Sequence, residues 1–249
     1  MPTSLDSPVK SPPEPTNWSV TMRWHDLLFA HWPVAADLLA AQLPRTDPPL
    51  ELDTFEGQAW LGVVPFRMSG IRWRRFLPLP GTSAFPELNV RTYVRANGRP
   101  GVWFFSLDAG SKLAVRIARW TYHLPYYDAD IACEVQSNGV VNYSSERTHS
   151  GGGTATLAVS YEGLGDLFAA QSGSLEHWLT ERYRLFAADS RRRLWRGEIR
   201  HSPWPLQPAK ATFTHLNMTT QLGFALPSSE PHLLFARELS VKAWWLTPA

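Results

Sequence analysis

Glu87-Leu88-Asn89-Val90-Arg91-Thr92-Tyr93-Val94-Arg95, then Ala96-Asn97-Gly98-Arg99-Pro100-Gly101, then Val102-Trp103-Phe104-Phe105-Ser106-Leu107-Asp108-Ala109 is the stretch that decides the fold. The first part alternates. Leu88, Val90, Thr92 and Val94 share one face, and Glu87, Asn89, Arg91 and Tyr93 share the other, the period of a strand. Asn97-Gly98 supplies the left-handed backbone of a tight hairpin turn. The return strand is apolar on both faces, so the polar row opposite it lines an interior better than it faces bulk water. A polar row inside a β-rich core is the mark of a pocket.

Outward from the hairpin, Ser111 to Trp120 reads as a short helix, with Arg116 and Arg119 three apart on one side. It runs into the corner Leu124-Pro125-Tyr126-Tyr127. Tyr122, Tyr126 and Tyr127 present hydroxyl groups beside apolar rings, and Arg91 and Arg119 offer planar forks for a carboxylate or phosphate. Strands follow through Asp130–Gln136, Val140–Thr148 and Thr154–Tyr161, with turns at Ser137-Asn138-Gly139 and Ser150-Gly151-Gly152-Gly153. The glycine triplet lacks the helix start and the Lys-Ser/Thr of a phosphate loop, so it reads as a turn.

Upstream, Met1 to Asn17 is rich in proline, serine and threonine and is expected to be a disordered tail, with one domain over 18–249. Met22 to Leu43 reads as an entry strand and then a helix, with Pro33 in its first turn. Ala59 to Arg67 is apolar on both faces and reads as a central strand. Ile71 to Pro86, rich in Arg, Pro and Gly, reads as a long loop. Its Arg72-Trp73-Arg74-Arg75 has the make-up of a nucleic-acid stacking segment, but exposed arginines on a loop that caps a barrel mouth are the better reading. Downstream, Glu176 to Phe186 reads as a helix capped by Ser174, which leaves Arg182 and Arg184 as solvated charge. Strands at Leu194–His201 and Ala209–Leu216 are joined through Pro203-Trp204-Pro205, and a last strand covers Leu233–Leu246. His201, beside Trp204, is a candidate for the pocket rim. The sum is a mainly β (α+β) chain, a large antiparallel barrel or cone of about ten strands with a few flanking helices.

Composition sets limits on function. With 24 basic and 22 acidic residues, a broad cationic face for nucleic acid is not expected. The single cysteine permits no internal disulfide. No apolar run spans a bilayer and no secretory signal is visible, so a cytoplasmic protein with no membrane partner is expected. The histidines show no metal-ligand spacing, since His25 and His31 are six apart, which on a helix would put them on different faces, and there is no nucleophile elbow or dinucleotide fingerprint. No metal and no cofactor is expected, and a homo-oligomer is left open.

The segments Phe29-Ala30-His31-Trp32-Pro33-Val34, Leu50-Glu51-Leu52-Asp53-Thr54-Phe55, Val63-Val64-Pro65-Phe66, Asn89 to Val94, Trp103 to Ala109, Leu124-Pro125-Tyr126-Tyr127 and Pro203-Trp204-Pro205-Leu206-Gln207 resemble the YqjF-like bacterial family of uncharacterised proteins. The resemblance spans Met22 to Leu246 and implies an acetoacetate decarboxylase-like barrel with an interior pocket. Acetoacetate decarboxylases carry Gly-Arg-Glu, a spacer, then Tyr-Pro-Lys-Lys, whose first lysine forms a Schiff base. Here the similar stretch is Ala118-Arg119-Trp120, a spacer, then Leu124-Pro125-Tyr126-Tyr127. Arg119 and Pro125 match, but tyrosines replace both lysines, and a phenol forms no imine. Two functions stay open. One is a small-molecule-binding barrel for an organic acid, with Arg91, Tyr93, Arg119, Tyr122, Tyr126 and His201 around the ligand. The other is an enzyme using Tyr126, Tyr127 and Glu87 for acid–base chemistry on a carboxylated substrate.

Overall fold

The computed structural model describes residues 17–74 and 83–249. Among these, the strands are β1 Val20–Val34, β2 Glu51–Leu52, β3 Ala59–Trp73, β4 Phe85–Ala96, β5 Arg99–Ala109, β6 Tyr126–Val135, β7 Val141–Arg147, β8 Thr156–Gly163, β9 Arg184–Ala188, β10 Leu194–Arg200, β11 Leu206–Asn217, β12 His232–Ala243 and β13 Thr247–Pro248. The helices are α1 Ala36–Ala40, α2 Lys112–Tyr122 and α3 Leu175–Thr180, with a single 3-10 turn at Thr220–Leu222.

All the strands belong to one 13-stranded sheet that closes on itself twice. The circuit β5-β6-β7-β8-β11-β12-β1-β3-β4 returns to β5 and makes a nine-strand ring. The circuit β5-β9-β10-β12-β1-β3-β4 also returns to β5 and makes a seven-strand ring. The strands β5, β4, β3, β1 and β12 are a wall common to both. Pairing is antiparallel except where β5 meets β6 and β9. The expected barrel is therefore present, with more strands than the sequence reading counted.

The common wall explains why β3 is apolar on both faces. Leu61 and Val63 face the nine-strand ring, where they pack with Leu28, Trp32, Leu88, Tyr143, Leu157 and Tyr161. Val64 and Phe66 face the other ring, with Leu27, Phe29 and Leu234. Full burial of one such side chain contributes ~1.5–3 kcal/mol, so this double-sided wall carries much of the stability. On β1 the two faces are kept in step by an irregularity at Asp26 (φ 53°). Pairing with β3 breaks between His25 and Ala30. One extra residue there puts Val20, Met22 and Trp24 on the same side as Leu27 and Phe29. Asp26 is buried and held by Arg67 (2.7 Å) and Arg237 (2.6 Å), and its carbonyl accepts from the Tyr161 hydroxyl (2.6 Å).

Three expectations need correction. The helix expected from Pro33 to Leu43 shrinks to α1, because β1 runs through Pro33, which pairs with Trp60 of β3. Pairing of β1 with β12 ends at His31, so Pro33 lies where one edge is unpaired and a missing N–H costs little. The helix expected to Phe186 stops at Thr180, where the Arg182 Nε donates to the Trp178 carbonyl (2.6 Å). The chain then enters β9, whose pairing with β10 outweighs the helical spacing. The Ser174 cap is as expected, accepting from the His177 N–H. Finally, Ile71–Trp73 and Phe85–Pro86 are strand rather than loop. Residues 75–82, and the tail expected over 1–17 up to residue 16, lie outside the described residues.

Candidate functional site

A cavity of about 200 Å³ lies on the seven-strand side of the common wall. Most of its lining is hydrocarbon and ring, including Trp24, Phe29, Phe66, Met68, Phe104 and Trp204. Trp204 stacks on Trp24 (5.8 Å) and meets Phe29 edge-on (4.9 Å). Into this apolar chamber β4 presents Glu87, Asn89 and Arg91.

Glu87 is buried and accepts a hydrogen bond from the Tyr126 hydroxyl (3.0 Å). Loss of hydration pushes its carboxyl up to about 8, against the opposing hydrogen bonds from Tyr126 and Asn89. At neutral pH it is mostly a carboxylic acid, which can donate as well as accept. Tyr126 is pushed well above the ordinary phenol range by burial and by Glu87, so it remains a phenol. Arg91 reaches the Leu179 carbonyl (3.3 Å) and the Tyr93 hydroxyl (3.5 Å), both long, and its Nε has no protein partner among the described residues. No carboxylate pairs with it among them. A partly buried guanidinium without a counter-ion is a ready anion site.

The residues singled out in the sequence separate into two groups. Glu87, Arg91, Tyr122, Tyr126 and His201 all border the cavity. Tyr122 sits at one end, packed against Trp73 and Trp245, with its hydroxyl 3.4 Å from Ser19. His201 bonds through Nδ1 to the Ser202 carbonyl (2.7 Å) and packs on Trp204. Tyr93 stands behind the lining, fully buried, donating to the Leu179 carbonyl (2.8 Å) with His31 Nε2 at 2.7 Å. Gly62 leaves room for this histidine, since a Cβ there would lie 2.9 Å from its ring. Arg119 is not in the cavity: it is exposed, bonded to the Tyr126 carbonyl (3.1 Å) and to His149 (2.8 Å). Tyr127 is also outside, its ring covering Arg147 at 4.1 Å. The Leu-Pro-Tyr-Tyr corner thus sends one tyrosine in and the next one out, as successive strand residues must.

Thr180, Arg182 and Arg184 border the cavity and were missed. Arg182 pairs with Asp53 (2.8 Å) and lies over the rings of Trp178 and Tyr93. Reading the segment as helix to Phe186 hid them. The apolar Leu185-Phe186-Ala187 run after an alternating Arg-Tyr-Arg was the available strand signal. Among the described lysines, Lys112, Lys210 and Lys242 all lie off the cavity lining.

The closed strands around an interior cavity place the chain in the acetoacetate decarboxylase-like fold class. An acetoacetate decarboxylase from Legionella pneumophila matches with a TM-score of 0.64 at 11% identity, over 100% of this chain and 98% of that one. An acetoacetate decarboxylase-like enzyme from Sphingomonas wittichii RW1 matches at 0.62 and 14% identity, over 94% of each. The enduracididine biosynthesis enzyme MppR, solved with the condensation product of pyruvate and imidazole 4-carboxaldehyde, matches at 0.65 and 15% identity, over 99% and 98%. Within that fold class the chain belongs to the DUF2071 family, described as "Uncharacterized conserved protein", whose profile matches residues 21–240. The "Uncharacterized protein YqjF" of Bacillus subtilis (strain 168) is 42% identical over 227 residues, 91% of each chain. The resemblance drawn from the sequence motifs is thereby confirmed. No helix among the described residues is long and apolar enough to cross a membrane.

Proposed function

We propose that the protein binds a small organic acid with an apolar body in the seven-strand ring. The observation that carries this reading is Arg91, a guanidinium bordering an apolar cavity with no carboxylate partner among the described residues. The acid would place its carboxylate against Arg91 and its hydrocarbon against Phe66 and Trp204. Protonated Glu87, steadied by Tyr126, would donate to a carbonyl or hydroxyl on the ligand. The small ligands of MppR, a distant relative in fold, are compatible with such a site. The absence of lysine from the described lining argues against chemistry through an imine.

A screen of short carboxylic and keto acids by thermal unfolding tests the reading. A true ligand at a hundred times its Kd adds about 2.7 kcal/mol of stability. Arg91→Leu should abolish this gain, and Arg119→Leu should retain it. Stabilisation that survives Arg91→Leu would overturn the assignment.

A second reading rests on Glu87 itself. A carboxyl pushed up to about 8 is poised to exchange a proton near neutral pH, which suits a general acid or base. Turnover of a hit, lost in Glu87→Gln and Tyr126→Phe while binding persists, would favour an enzyme. Binding without turnover favours a carrier or sensor.

A further inference from the structure

The cavity's lining residues carry buried polar atoms without a protein partner, among the described residues, in two sets and at Arg182 Nη2, whose guanidinium is already paired with Asp53 (2.8 Å). Asn89 Oδ1 and Arg91 Nε belong to β4, within the acid site proposed above. Trp24 Nε1, Arg184 Nε and His201 Nε2 form a second set. The rings of Trp24 and His201 lie 6.5 Å apart. This second set marks a rim, because Arg184 and His201 border both the cavity and an open groove outside it.

The groove is strongly cationic. Arg23, Arg72, Arg184, Arg200 and Lys242 line it, against Glu198. In a chain with 24 basic and 22 acidic residues this is a local concentration of charge that favours anions at the entrance. Arg184 is weakly engaged: its contacts to the Pro100 carbonyl and to Glu198 are both 3.3 Å, and its Nε has none. With the Trp24 N–H it supplies two donors. His201 spends its Nδ1 proton on Ser202, so its Nε2 is left to accept, and burial keeps the ring neutral by lowering its pKa.

We propose that the ligand is two-ended: a dicarboxylate or equivalent dianion, one end held at Arg91 and the other at the rim by Arg184 and Trp24. The apolar lining between the two polar sets then selects the length of the connecting chain. This inference rests on the acid-binding reading and adds to it the identity of the ligand's second end.

Calorimetric titration of the full chain with hexanoate and adipate, and with octanoate and suberate, tests it. At one length the dicarboxylate should bind about tenfold tighter than the monocarboxylate of equal carbon number, a charge-assisted pair at the rim being the source. Arg184→Gln should shrink that ratio to about threefold or less, and Trp24→Phe, which keeps the ring and removes the N–H, should reduce it as well. Monocarboxylates that bind while no dicarboxylate binds tighter would overturn the two-ended ligand and leave the acid site standing. A ratio unchanged in both variants would overturn the rim assignment. Binding of neither class would overturn both readings.

Discussion

On β4, Leu88 and Val90 enter a ring packed with side chains, while their immediate neighbours Glu87, Asn89 and Arg91 border a cavity. The same wall of five strands thus serves a packed interior on one face and a hollow one on the other. Circumference does not explain the difference, since a ring with more strands is wider and the nine-strand ring is the packed one. Residue chemistry does. Trp32, Tyr143, Leu157 and Tyr161 fill the wide ring, and the one tyrosine hydroxyl that reaches Glu87 from there bonds its carbonyl (2.9 Å). In the narrow ring a carboxyl, an amide and a guanidinium face inward, and hydrocarbon packed onto them would strand their polar atoms.

Two arginines make the contrast sharpest. Arg147 has a fully buried side chain paired with Asp108 (2.8 Å), and Gly152 and Gln221 take its Nη1 donors. Asp108→Leu should therefore cost ~3–5 kcal/mol in urea unfolding, because it strands a buried charge. Arg91→Leu should cost less than ~1 kcal/mol, since it removes a cation that has no counter-ion to lose. Similar losses at both positions would erase the distinction. Next in size, Leu157→Ala in the packed ring should cost ~2–5 kcal/mol, whereas Met22→Ala, which borders space already present, should cost less than half of that.

The hollow side should also show itself in pH. Glu87 has a folded pKa of about 8 against 4.5 for the free group. Between those values the folded state holds a proton that the unfolded state has released, so stability falls as pH rises, by up to ~1.4 kcal/mol per unit. Asp108, pushed up to about 6, adds to the fall at its lower end. Glu87→Gln should flatten the dependence and raise the melting temperature more at pH 8 than at pH 5. A parallel shift at both values would place Glu87 in a more polar setting. The smallest effect concerns α3, which supplies the Leu179 and Thr180 carbonyls to Tyr93 and Trp204. Ser174→Ala removes its cap and should cost ~1 kcal/mol by thermal unfolding.

Much of this wall was legible in the sequence. Period-two alternation over Leu88 to Arg95 and the Asn97-Gly98 turn depend on local backbone chemistry, and Ala59 to Arg67 announced its two buried faces directly. The cavity was legible in part: Glu87 and Arg91 followed from alternation. Trp24 and Phe29 did not, because the irregularity at Asp26 shifts the register and is held by Arg67 and Arg237, 41 and 211 residues away. Arg182 and Arg184 were hidden by helical spacing that pairing with β10 overrides. Arg119 was chosen as a guanidinium close in sequence to Tyr122 and Tyr126, and α2 carries it to the exposed face beside His149.

A crystal structure of the protein soaked with hexanoate tests the hollow face most directly. The carboxylate is expected within hydrogen-bonding distance of Arg91, with the chain lying against Phe66 and Trp204. Hexanoate at the exposed Arg119 and His149, with none in the cavity at a concentration that stabilises the fold, would contradict this placement.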